Sequence, residues 1–298
     1  MAHEPQREPE RLPQPEPLPE PLPESGPHPQ PLPLPQPLPQ PPTHEARARA
    51  FDTVAAQYAT ARPGYPPSLH DAVEELAGRP LAGARVLDVG AGTGLATAPL
   101  AARGARVTAV EPGAAMAAEL HRAHPALPVV RARGEALPFP DGAGFDLVTY
   151  AQAWHWTDPA RSVPEALRVL RPGGTLALWW NVPDPDVPWQ AAQEARLARR
   201  LPGYHRHNAA VTAPDVLTAL ALPGPPLRPA TRLLHWTRRV PLPTHLAMLG
   251  SRSHCAALGP EAAPALAAED AVLREVFPDG VVEEAYALHL TAVRRADG

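Results

Sequence analysis

The sequence predicts an α/β protein built on a doubly wound, mostly parallel sheet. Three observations carry that expectation. Val86 to Gly94 reads VLDVGAGTG, an apolar strand that runs into a turn with glycine at every second position. Between Arg85 and Asn181, short apolar runs alternate with helical segments, and that alternation makes a parallel sheet covered on both faces. The third is a break in composition. Of the 44 prolines, 17 precede Thr43, which separates residues 1–44 from a folded domain at 45–298.

Residues 1–44 alternate Pro with Leu, Gln and Glu. Proline removes backbone donors and fixes φ, so a disordered, solvated polyproline II arm is expected there. The arm lacks a positive start followed by a continuous apolar core, so it is not a secretory signal. Two readings stay open for it: a ligand for a proline-recognising protein partner, or a dispensable extension. Glu45–Tyr58 reads as a helix with Phe51, Val54, Ala55 and Tyr58 on one face. ARPGYPP breaks it, and Ser68–Leu76 is a second helix with Ser68 as its N-cap. Strands are expected over Arg85–Val89, Arg106–Glu111, Val129–Arg133, Phe145–Ala151 and Gly174–Asn181. Helices are expected over Leu95–Arg103, Ala114–Ala123 and Ser162–Leu170, and RPGG at Arg171–Gly174 reads as a turn. Pro183–Pro229 is proline-rich and carries one helix, Pro188–Arg200. Thr231–Val240 and Val281–Arg294 then read as strands, and Pro243–Ala257 and Glu261–Val276 as helices.

Composition narrows the partners. Net charge is -4, and no long run of Lys or Arg offers a track for a nucleic-acid backbone. No apolar stretch is long enough to span a membrane. The single cysteine, Cys255, excludes an intrachain disulfide and a cysteine-rich metal site, in keeping with a cytoplasmic location. HRH at His205–His207 has no third ligand of suitable type nearby, so no metal is expected.

The glycine turn discriminates between cofactors. A dinucleotide fingerprint requires glycine where this chain has Leu95, which disfavours a nicotinamide oxidoreductase. Asp88, at the end of the strand, would repel a pyrophosphate and hold an ammonium. TAVEPG (Thr108–Gly113), EALPFPDGAGFDLV (Glu135–Val148) and LRVLRPGGTLAL (Leu167–Leu178) follow in order. With these four segments the chain resembles class I S-adenosylmethionine-dependent methyltransferases from about Phe51 to the C-terminus. The resemblance implies a Rossmann-like sheet of seven strands, the seventh antiparallel. It also implies S-adenosylmethionine as cofactor and in-line methyl transfer to a small-molecule acceptor. Residues 181–230, between the fifth and sixth strands, would be an insertion forming part of a substrate lid.

The same resemblance assigns the site. Asp88 would face the cofactor ammonium, directly or through water, with Gly90, Gly92 and Gly94 bringing the backbone against the methionine end. Glu111 would accept both ribose hydroxyls, as a carboxylate suits a diol. Glu135 and Ala136 would lie by the adenine, where Arg133 stands in place of the aspartate that many relatives use. QAWHW follows the fourth strand. Gln152 would border the cofactor, and Trp154 or Trp156 would stack on adenine or substrate. His155 has two readings, a general base or a residue that fixes the loop. Tyr58, Arg62 and Tyr65 are lid candidates. A hydroxyl or amine acceptor would need the base. A carboxylate would not, and Arg62 or Arg252 would then pair with it. A second reading is an inactive methyltransferase-like scaffold recruited through the proline-rich arm.

Overall fold

The computed structural model describes residues 43, 46, 47, 50, 51, 55–204 and 209–296. The arm expected over 1–44 lies almost wholly outside them, as do the HRH run and much of the first expected helix. The described elements, in order, are α1 (Ala55–Ala61), α2 (Pro67–Ala77), β1 (Arg85–Val89), α3 (Thr97–Ala102), β2 (Arg106–Val110), α4 (Ala114–Ala123), β3 (Val129–Val130) and β4 (Phe145–Ala151). Then come α5 (Pro159–Val169), β5 (Leu170–Pro183), α6 (Pro188–Arg200), α7 (Ala209–Ala219), β6 (Ala230–Pro241), α8 (Leu242–Gly250), α9 (Ser253–Leu258), α10 (Ala263–Val276) and β7 (Val281–Arg294). The seven strands form one sheet in the order β3-β2-β1-β4-β5-β7-β6. Strands β1 to β5 pair in parallel, and β7 runs antiparallel to both β5 and β6. The doubly wound seven-stranded sheet is therefore present, with its antiparallel seventh strand.

Alternation along each strand divides the core into two layers. Val86, Leu147 and Trp179 face α2 and α3, packing on Leu69, Val73 and Leu100. Their neighbours Leu87, Val148 and Leu178 face the opposite layer, with Val163 and Ala166 of α5 and Ala213 and Leu217 of α7. A third apolar cluster joins α1, α6, α8 and α9 through Ala61, Leu197, Met248, Leu249 and Cys255. It forms a cap of its own beside the sheet.

Several boundaries depart from the sequence reading. Ser68 is not the N-cap of α2; Pro66 holds that position without a side-chain bond, and Pro67 opens the helix with its fixed φ. Helix α5 starts early because Asp158 caps it, accepting from the Ala160 amide at 3.0 Å. Strand β3 spans two residues, shorter than expected for this edge of the sheet. RPGG is not a turn before β5. It lies within the strand as a bulge, where the register on β4 shifts from Phe145–Leu170 to Leu147–Thr175. The helix expected at 243–257 divides into α8 and α9. Helix α7 was not expected at all, because Pro214 lies inside it.

Candidate active site

The carboxyl ends of β1, β2 and β4 open into a groove, the place where open α/β sheets bind ligands. Its cavity of about 270 Å³ is bordered by Gly90, Gly92, Glu111, Gly134, Gln152 and Trp156, among others. The turn after β1 is held by Val110 of β2, whose carbonyl accepts from the Gly90 amide at 2.8 Å and the Ala91 amide at 3.1 Å. Gly90 has φ +69°, and a Cβ there would lie 2.4 Å from the Cβ of Ala153. Gly92 has φ +59°, but a Cβ there would meet nothing within 4 Å. Bare backbone thus borders open space. Glu111, at the end of β2, is buried, and its two oxygens accept from the Gly92 amide at 2.8 Å and the Gly113 amide at 2.7 Å. Opposite it, Gly134 passes so close to β4 that a Cβ would sit 2.8 Å from the Tyr150 hydroxyl. Glu135 borders the groove and accepts from the Asp158 amide at 3.0 Å.

A second cavity, of about 170 Å³, lies between the sheet and the cap. Phe51, Tyr58, Gln152 and Trp156 border both cavities, so the two meet at one wall. Arginines are prominent in this chamber. Among the described residues, Arg47, Arg62 and Arg252 line it, with Glu194 as the one carboxylate. Arg62 is fixed by Ser251, donating from Nε to the hydroxyl and from Nη2 to the carbonyl, both at 3.0 Å, and its guanidinium stacks 4.7 Å from the Tyr58 ring. Arg252 donates to Glu194 at 2.6 Å, and Tyr204 donates to the other Glu194 oxygen at 2.8 Å. Burial works against the Arg252 charge, but Glu194 beside it outweighs that and raises its pKa. His155 lines the chamber and accepts at Nδ1 from the Trp180 indole N–H at 3.1 Å.

Five expected site residues lie elsewhere. Asp88 does not line the groove. Strand alternation turns it toward α3, where Thr97 donates to one oxygen at 2.6 Å and its β4 register partner Thr149 to the other at 2.8 Å. It is fully buried, and burial pushes its carboxyl up to about 6. Gly94, with φ +93°, abuts Leu120 of α4, with its would-be Cβ 3.1 Å from Leu120 Cγ, and shapes the turn from behind. Ala136 is exposed outside the groove, where it bridges to Arg133. Trp154 is 3% exposed and packs edge-on against Trp180 in the core, so the stacking surface is Trp156. Tyr65 packs on Trp179 rather than over either cavity.

The match to known proteins follows this geometry. The family model of the methyltransferase domain covers residues 87–178, the segment that builds the groove. An uncharacterized methyltransferase of Mycobacterium tuberculosis is 35% identical over 206 residues, 69% of this chain and 77% of the relative. The chain belongs to the class I S-adenosylmethionine-dependent methyltransferases. A solved structure of a candidate type II methyltransferase from Anaeromyxobacter dehalogenans is 29% identical and superposes with a TM-score of 0.59, over 80% of this chain and 99% of that one. The demethylmenaquinone methyltransferase of Beutenbergia cavernae is 39% identical over 120 residues, 40% of this chain and 49% of the relative. The fold extends further than the activity: the [4+2]-cyclase SpnF shares it at 20% identity, with a TM-score of 0.50 over 87% of this chain and 99% of that one.

In this methyltransferase the chamber contains residues that the sequence did not single out. Asn181 ends the buried run of β5 and ties three elements together. Its carbonyl accepts from Gln152 at 3.1 Å, its amide donates to the Gly64 carbonyl at 2.9 Å, and its side-chain oxygen accepts from Trp236 at 3.0 Å. Glu194 and Tyr204 come from the 181–230 segment, but Met248, Arg252 and His254 come from α8, α9 and the link between them. The chamber wall is thus shared between two stretches on either side of β6. Glu194 was legible only as one acid on a charged helix. Among the described residues no helix is long and apolar enough to cross a membrane, and no cluster of metal-ligating side chains occurs.

Proposed function

We propose that the groove holds S-adenosylmethionine and that the chamber holds a small-molecule acceptor, to which the methyl group is transferred by in-line displacement. One observation carries this reading: the two cavities meet at a wall of Phe51, Tyr58, Gln152 and Trp156. The residues of the groove fit the cofactor. Glu111 accepts from the Gly92 and Gly113 amides at the end of β2, and a carboxylate at that place suits the ribose diol. The open space at Gly92 admits the methionine end against bare backbone. Glu135 and the Gly134 backbone border the adenine position, and Trp156 offers a ring face to either ligand. Asp88 acts from behind, holding β1, β4 and α3 in register below the turn.

S-adenosylmethionine, when bound, supplies an electrophilic methyl on a sulfonium that is already a good leaving group. The chain's task is therefore alignment and exclusion of water, and such positioning is worth roughly 7–11 kcal/mol. The scaffold alternative draws no support from a site in which groove and chamber are both built. On this reading residues 45–298 are the catalytic unit, with part of 181–230 in its substrate lid, in the cytoplasm. The arm before it is a separate ligand for a proline-recognising partner.

Calorimetric titration with S-adenosylmethionine tests the groove. Glu111→Ala is expected to weaken binding by about 1.5–3 kcal/mol, the range for hydrogen bonds to a charged group. Unchanged affinity in a folded variant would reject the assignment.

A further inference from the structure

We infer that the Tyr150 hydroxyl is a binding group of the groove and donates a hydrogen bond to a ring nitrogen of the cofactor's base. This rests on the proposed binding of S-adenosylmethionine in the groove and adds to it a residue that no sequence motif singled out. Tyr150 is the next-to-last residue of β4. Strand alternation turns its ring into the apolar layer of Leu87, Val89 and Val148, where it is 1% exposed. Its hydroxyl is buried and has no hydrogen-bond partner among the described residues. Nearly all buried polar groups in folded proteins are paired, and an orphaned donor costs stability. Phenylalanine would fill the same space without that cost. Packing alone therefore gives no reason for the oxygen.

The orphan lies at the groove rather than deep in the core. Tyr150 borders the cavity together with Gly134, Glu135 and Thr157. A Cβ on Gly134 would come within 2.8 Å of the hydroxyl oxygen and 3.1 Å of Cε1, so the loop passes the hydroxyl as bare backbone. The other polar side chains at this end are committed or lack a buried donor. Glu135 accepts from the Asp158 amide at 3.0 Å and, ionised, offers no proton. The Thr157 hydroxyl is shared between the Trp154 carbonyl and the Ser162 hydroxyl, both at 2.8 Å. Arg133, which stands where many relatives have an aspartate for the exocyclic amine, is exposed. Burial, with Glu135 and Glu165 nearby, raises the Tyr150 pKa and keeps the proton on its oxygen. The ring nitrogens N1, N3 and N7 of adenine carry no proton and accept. A protonated phenol is the matching donor.

The test uses the full-length chain and Tyr150→Phe, which removes one oxygen and little else. S-adenosylhomocysteine and its 1-deaza, 3-deaza and 7-deaza analogues are titrated into both proteins by calorimetry. Each analogue replaces one ring nitrogen by C–H and so removes one acceptor. Tyr150→Phe is expected to weaken S-adenosylhomocysteine about two- to tenfold, the range for a neutral hydrogen bond. The melting temperature of the ligand-free variant is expected to be unchanged or raised, since no bond within the protein is lost. For one of the three analogues the wild type is expected to lose that same factor and the variant nothing further, so that the two proteins bind it alike. Equal affinity of both proteins for S-adenosylhomocysteine would overturn the inference, and a lower melting temperature alongside it would make the hydroxyl a structural group. A penalty that persists with all three analogues would also overturn it, by placing the hydroxyl on the exocyclic amine or away from the base. Both of those outcomes leave the proposed cofactor binding intact. A wild type that binds neither S-adenosylmethionine nor S-adenosylhomocysteine would instead overturn that binding itself.

Discussion

The groove and the chamber are made of different material. The groove is largely main chain: the amides of Gly90 and Ala91 bonded to Val110, the open backbone at Gly92, and Glu111 tied to two amides. The chamber is largely side chain: Arg62 on Ser251, Arg252 on Glu194 and Tyr204, His155 on Trp180. Apart from Phe51 and Tyr58 in the shared wall, the first comes from residues close in sequence, between Val89 and Thr157. The second gathers residues from Arg47 to Tyr286. The difference separates two tasks. A shared cofactor can be gripped by a backbone shape that tolerates little change, while acceptor choice rests on side chains that change one at a time.

The largest expected effect breaks the groove alone. At Gly90, φ is +69° and a Cβ would overlap Ala153 at 2.4 Å, with no flexible side chain to give way. Gly90→Val adds left-handed strain to overpacking, together roughly 2–6 kcal/mol. Cofactor affinity, read by calorimetry, is expected to fall below detection with a drop in melting temperature. The chamber is made elsewhere, so acceptor binding is expected to survive in the variant that remains folded. Loss of acceptor binding in a folded Gly90→Val protein would show that the two regions are not separable.

The same division explains what the sequence disclosed. β1, β4, α4, α6 and β7 were readable to the residue because each is a periodic run with clear stops. Gly90, Gly92 and Glu111 were readable because main-chain geometry leaves a mark in short motifs. Asp88 was placed at the right strand end but on the wrong side, since alternation turns it under α3. Trp154 and Trp156 lie two residues apart in a single turn of 3₁₀ helix, and the pattern does not say which one faces the cavity. Asn181, Glu194 and Tyr286 left no local signal, because only the tertiary fold brings them together. α7 hid behind Pro214, although Ala210, Ala213 and Leu217 form its buried face at helical spacing.

Buried acids sharpen the comparison, because the two regions shift them in opposite directions. On the groove side, burial pushes Asp88 up to about 6, against two hydroxyl donors that carry no charge. On the cap side, burial also disfavours charge on Glu284. Hydrogen bonds from His245, Arg238 and Tyr286 outweigh it and hold the carboxyl down at about 2. Between about pH 4 and 6 the folded state keeps a proton on Asp88 that the unfolded chain has released. Stability from Asp88 therefore falls as pH rises through that window, by about 3 kcal/mol in all. Glu284 does the reverse. Its contribution, also about 3 kcal/mol, is full above pH 4.5 and is lost as pH falls through about 2. Urea unfolding of wild type minus Asp88→Asn, followed against pH, is expected to slope down and then flatten above pH 6. The same difference for Glu284→Gln is expected to slope up between about pH 2 and 4.5. Parallel slopes would mean that the two acids share one environment.

The smallest expected effect lies where the two regions touch. Gln152 is the one non-glycine residue with positive φ among the described residues, at +57°, and it borders both cavities. Its amide donates to the Trp179 carbonyl at 2.8 Å and its side chain to the Asn181 carbonyl at 3.1 Å, so β5 holds it in that conformation from two points. Gln152→Gly removes a left-handed strain of about 1–3 kcal/mol. It also loses a hydrogen bond worth about 0.5–1.5 kcal/mol and gains about 0.5–1 kcal/mol of unfolded-state entropy. These nearly cancel, so stability is expected to stay within about 1 kcal/mol of wild type. Cofactor affinity is expected to change little as well, because Glu111 and the glycine backbone are untouched. What should fall is turnover, since the shared wall would no longer fix where one cavity opens on the other. A variant of wild-type stability and cofactor affinity but reduced kcat would make Gln152 a joint between the two regions. Undiminished kcat would show that groove and chamber align through the aromatic wall alone.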